Sequence, residues 1–197
     1  MATRKKTGPA ASGTTSAGDT IAINRAPVLT LWAAVVAERL GYDPAEAATL
    51  GRAVAGLNAQ AKGQRLGIFS RPEPGEKPAG KQAERAAVKP DTVSLLGRAV
   101  PIVHTKAGIR AATDGRADDP AAVQRYLASR FGDALDPARE AMRALARSIP
   151  KGELEAKAFG LYEKFRPAVP EGQRGWGAKG VLDLARVRTL TSGAGRE

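Results

Sequence analysis

The sequence predicts a mainly α-helical protein carrying one small β-hairpin, and three observations lead there. Apolar residues recur at helical spacing over most of the chain beyond residue 23. Asp-Pro-Ala occurs at 43–45, 119–121 and 136–138, each time as a capping aspartate before a proline suited to the first helical position. The stretch from Val100 to Ala111 sets short β-branched runs around a glycine-bearing turn. Large apolar side chains are scarce. Leu, Ile, Val and Phe make up 38 of the 197 residues, against 39 alanines, so a core forms only where they concentrate.

Residues 1–23 open the chain as an expected disordered basic tail, since the first twenty hold almost no large apolar side chain. Residues 24–69 form the first unit. Val28, Leu31, Trp32, Val35, Val36 and Leu40 make one helical stripe, Pro27 suits the first turn, and Gly41 is placed to end the helix. A second helix follows, with Asp43 as cap, Pro44 first and Glu46 completing a capping box. Leu50, Val54 and Leu57 continue the buried face, and the helix is expected to stop before Gly63. Residues 70–92 carry four prolines and nine charged residues and read as a linker.

Residues 93–191 form the second unit, a hairpin plus helices. Val100–Val103 and Ile109–Ala111 flank the turn, and Pro101 is expected to place its strand at an edge. Three helices follow. The first buries Val123, Tyr126, Leu127 and Phe131, the second Met142, Leu145 and Ile149, and the third Leu154, Ala158, Leu161, Tyr162 and Phe165. A Pro- and Gly-rich loop at 166–180 precedes a last short helix with Leu184, Val187 and Leu190. Residues 192–197 read as a tail.

Composition excludes several chemistries. Without cysteine there is no disulfide, no thiolate nucleophile and no cysteine-ligated metal. The single histidine, His104, rules out a histidine-rich metal site, and no cofactor motif is present. No enzyme reading stands out, and none is expected. No apolar run is long enough for an export signal or a membrane span, so a cytoplasmic protein is expected, and the alanine and arginine usage resembles that of a GC-rich bacterial genome. The net charge of +11 and pI near 10.3 favour an anionic partner.

The segment Val36-Ala-Glu-Arg-Leu-Gly-Tyr-Asp-Pro-Ala-Glu-Ala-Ala-Thr-Leu50 resembles the helix-turn-helix of bacterial repressors. Ala37 lies four residues before Gly41, and Val36, Leu40, Tyr42, Ala47 and Leu50 fall where that motif holds its two helices together. The resemblance implies that the second helix enters the major groove of DNA through Ala45, Glu46, Thr49 and Arg52. An αα-hairpin packed on its own glycine turn is the alternative.

Other candidate contacts are spread along the chain. Asn58, Gln60, Lys62, Gln64 and Arg65 run off the second helix, where amides suit base edges and cations suit phosphates or the helix C-terminus alone. Lys106 and Arg110 lie on the hairpin, a candidate wing. Arg139, Arg143 and Arg147 form a stripe that either tracks phosphates or is simply a solvated face. Arg174, Trp176 and Lys179 lie in the glycine-rich loop, where the indole either stacks on a base or plugs the core. The expected function is non-catalytic binding of nucleic acid, DNA before RNA, with an acidic protein partner as the alternative.

Overall fold

The computed structural model describes residues 19–65, 91–171 and 178–193. The fold mixes helices with two antiparallel sheets, which corrects the mainly α expectation. In chain order the elements are β1 (Thr20–Ile23), α1 (Arg25–Leu40), α2 (Pro44–Arg65), β2 (Thr92–Leu95), β3 (Arg98–Thr105) and β4 (Gly108–Thr113). Then come β5 (Arg116–Ala117), α3 (Pro120–Phe131), a 3-10 turn, α4 (Leu135–Arg147), α5 (Lys151–Phe165), β6 (Gly180–Asp183) and α6 (Leu184–Gly193).

The expected hairpin is the middle of a four-stranded meander, ordered β2-β3-β4-β5. Two of its turns are two-residue loops with both residues left-handed. They are Leu96-Gly97 (φ 50 and 69) and Asp114-Gly115 (φ 51 and 74), the geometry that matches strand twist. The third, Lys106-Ala107, closes on Gly108 at φ 95. Pro101 is not on an edge strand. It sits in β3, an inner strand, just past the last pair of the β3–β4 ladder (Ile102 with Ala111), so its missing N–H breaks no ladder bond.

The second sheet pairs β1 with β6, joining Thr20–Ile23 to Gly180–Asp183. Part of the expected tail, residues 20–23, is therefore a strand. Its anchors are specific: Leu184 N donates to Asp19 O, and Arg188 pairs with the Asp19 carboxylate at 2.6 Å.

The helices follow their end signals with two exceptions. Gly41 is left-handed (φ 114) and donates its N–H to Ala37 O and Glu38 O. Asp43 Oδ1 caps α2 by accepting from Ala45 N and Glu46 N, while Glu46 Oε2 accepts from Asp43 N, a complete capping box. Asp119 caps α3 in the same way. Asp136 does not cap. The preceding 3-10 turn lets α4 start at Leu135, so Asp136 falls inside the first turn and pairs with Arg139 instead. Helix α2 also runs through Gly63 to Arg65, three residues past the expected stop.

One core joins both expected units. Trp32 is fully buried at its centre, donates Nε1–H to Ala158 O at 2.9 Å and meets Phe165 edge-on at 5.4 Å. Helix α1 packs on α2, α4 and α5, so the elements before and after residues 70–92 share their apolar faces. Among the described residues no helix is long and apolar enough to cross a membrane.

Candidate functional site

The end of α2 that the helix-turn-helix resemblance assigns to DNA is occupied. Hydrogen-bonded pairing with β3 engages one edge of β4, and β5 reaches only residues 112–113 on the other. That leaves the N–H groups of Ile109 and Ala111 to be satisfied from outside the sheet. Helix α2 does this with side chains. Glu46 Oε1 accepts from Ile109 N at 2.9 Å, and Thr49 Oγ1 accepts from Ala111 N at 3.1 Å. Thr49 is fully buried by the contact, which removes it from the expected nucleic-acid set.

The pairing of α1 with α2 is also closer and longer than a turn-only contact. A Cβ at Gly51 would stand 2.5 Å from Thr30 O and 2.7 Å from Ala34 N, so the two backbones touch ten residues beyond Gly41. The contact of α1 with α2 thus extends well beyond the turn that joins them.

The remaining candidates divide by what they touch. Arg110 is buried, with Nη1 held on Ile109 O, and leaves the expected set for the same reason as Thr49. The arginine stripe of α4 is matched by carboxylates at every position. Arg139 lies 3.6 Å from Asp136, Arg143 binds Glu38 of α1 at 2.9 Å, and Arg147 binds Glu140 at 2.6 Å. Only Arg147 is exposed; Arg139 and Arg143 are half-buried. Lys106 is exposed on the β3–β4 turn, and Gln60, Lys62, Gln64, Arg65 and Lys179 are exposed as well. Arg174 and Trp176 lie outside the described residues.

Two groupings are less evident from the sequence. The first is a cationic patch across α2 and α3. The Arg52 guanidinium lies 4.4 Å from the centre of the Tyr126 ring, and that of Arg130 lies 5.7 Å from it. Both arginines are exposed, and neither has an acidic partner among the described residues. Arg130 follows Tyr126 by four residues on one helix, a spacing that could have been read from the sequence. Arg52 arrives from α2 and could not.

The second grouping is a cleft of about 560 Å³ between the β2–β3 turn and α5. Leu96, Gly97 and Arg98 form one wall, and Gly152, Glu155, Ala156 and Phe159 form the other. A second hollow, of about 360 Å³, lies against α2 at Leu57, Gln60, Ala61 and Gln64 and shares Gly97 and Arg98 with the first. Arg98 is half-buried and donates to Asn58 Oδ1 at 3.2 Å, which ties the strand side chain to α2. The candidate amides of α2 are thus gathered with an arginine from a strand 40 residues away.

No group of three or more potential metal ligands exists among the described residues. His104 and Asp91, both exposed, lie 3.3 Å apart at the sheet rim. Comparison of the chain with protein-family models, curated proteins and solved structures found no match.

Proposed function

We propose that the protein is a non-catalytic nucleic-acid-binding protein that engages backbone phosphates through the Arg52–Tyr126–Arg130 patch. One observation carries this reading: two exposed guanidiniums share a single aromatic ring, and neither is ion-paired to a carboxylate among the described residues. Two cations within 6 Å of one ring centre repel each other, and a phosphate bound beside either of them offsets that repulsion. The arginines of α4, by contrast, each have a carboxylate within 4 Å. The net charge of +11 supplies the long-range attraction.

Groove reading by a recognition helix is no part of this proposal, because the N-terminal turn of α2 is docked on β4. Phosphate contacts act on any sequence. Titration of the full chain with random-sequence nucleic acid at several salt concentrations tests the reading. Phosphate binding gives log affinity falling steeply and linearly with log salt. Affinity that does not change with salt would refute it.

A further inference from the structure

The cleft between the β2–β3 turn and α5 holds two opposite charges that do not pair. Arg98 on one wall and Glu155 on the other have no ion-pair partner, with each other or with any other described residue. Between them the wall is apolar, with Leu96 and the half-buried ring of Phe159. The turn that carries this wall is strained, since Leu96 is a bulky residue with φ 50, yet its side chain is buried. Backbone strain of this kind persists only where surrounding packing holds it, and it collects at ligand sites. The cleft volume, about 560 Å³, lies within the range of small-molecule sites.

A ligand for this cleft needs an anionic group for Arg98, a planar apolar face for Phe159 and N–H donors for Glu155. An ionised carboxylate only accepts hydrogen bonds and offers two oxygens side by side. Of the nucleobases, guanine alone presents two adjacent donors, N1–H and N2–H, on its Watson–Crick edge. Adenine and cytosine place one donor beside an acceptor, which a carboxylate repels. We infer that this cleft binds a guanosine nucleotide, with the base on Phe159, its donor edge at Glu155 and its phosphate at Arg98. The nucleotide is either free or an unpaired position in a single strand. Only the strand-borne form rests on the nucleic-acid reading above. Unpaired bases splayed onto aromatic side chains are the usual means of reading single strands.

The test is calorimetric titration of the full chain with guanosine 5′-monophosphate, adenosine 5′-monophosphate and inorganic phosphate. The expected result is binding of the guanosine nucleotide at least tenfold tighter than either of the others. Glu155→Gln is expected to abolish the preference for guanine, and Arg98→Gln to weaken binding at least tenfold. Gly152→Leu is a third variant with little risk to folding, because a Cβ there meets no atom within 4 Å. It fills the cleft and is expected to weaken binding at least tenfold with circular dichroism unchanged.

A second arm compares a thymine strand carrying one guanine with an all-thymine strand. Preference for the guanine strand, abolished in Glu155→Gln, assigns the site to strands. Equal binding of the two strands with selective uptake of the free nucleotide assigns it to the mononucleotide. The inference is overturned if guanosine monophosphate binds no better than adenosine monophosphate or inorganic phosphate, or if all three variants bind it as the parent does. Failure of the phosphate patch would show instead as loss of salt-dependent binding, with the mononucleotide titration unaffected.

Discussion

Thr49 Oγ1 accepts the backbone N–H of Ala111 at 3.1 Å, so a helix side chain closes a bond on the edge of a β-sheet. Glu46 does the same for Ile109 one helical turn earlier, and it also caps its own helix through Asp43 N. Two links follow from this docking. It anchors the meander to the αα-hairpin, and it takes the first turn of α2 away from any ligand. The proposed phosphate contacts lie further along α2, where Arg52 is exposed.

Thr49→Val keeps the shape of the side chain and removes the acceptor. The Ala111 N–H is then buried without a partner, which costs about 1–3 kcal/mol. Urea denaturation measures this as a lower midpoint with an unchanged slope. A midpoint equal to the parent would mean that the sheet edge is satisfied in another way.

Two glycines of α2 are predicted to respond in opposite senses. A Cβ at Gly51 would stand 2.5 Å from Thr30 O, an atom of the α1 backbone that cannot swing aside, so Gly51→Ala should destabilise by about 1–3 kcal/mol. At Gly56 a Cβ meets nothing within 4 Å, and Gly56→Ala should stabilise by about 0.5–1 kcal/mol through helix propensity. Thermal melts of both variants check the pair. Equal shifts would deny the close approach of α1 and α2.

Tyr162 gives a prediction at high pH. Its phenol is buried and donates to Arg25 O at 3.2 Å. Burial pushes its pKa well above the ordinary 10.0, Glu163 adds to the rise, and Arg25 and Arg166 oppose it. The folded value exceeds the unfolded one, so the stabilisation is complete below pH 10.0 and is lost as pH climbs above it. Stability should fall above that point by up to about 1.4 kcal/mol per pH unit from this group. In Tyr162→Phe the alkaline slope should be shallower by that amount. An identical slope in the variant would show that Tyr162 ionises freely.

Local signals in the sequence located the helix ends well. Gly41, the Asp43–Glu46 box and the Asp119 cap each act through residues at most four positions away, and the structure has each where spacing placed it. Trp32 followed from the apolar stripe of α1 and lies at the core centre. What periodicity missed is long-range. Strands β1 and β6 have four residues each and pair across about 160 positions, too short to show alternation alone. Pro101 misled because an inner strand accepts proline where a ladder has ended. Thr49 and Arg110 looked exposed because nothing local announces that β4 will lean on α2. The same limit applies to function. The stripe of Arg139, Arg143 and Arg147 was visible, but its neutralisation by Glu38 required the fold. The meeting of Arg52 with Tyr126 required it too.

Phosphate binding at the Arg52–Tyr126–Arg130 patch is best probed by the salt dependence of nucleic-acid affinity, in the parent and in the double variant Arg52→Gln, Arg130→Gln. Both arginines are exposed, so circular dichroism and melting should change little. Removing one phosphate-binding cation lowers the magnitude of the slope by about 0.7 on single strands and about 0.9 on duplex DNA. The expected drop for the pair is about 1.4–1.8, with weaker binding to every sequence. A double variant with the parent's slope and affinity would contradict phosphate binding at this patch.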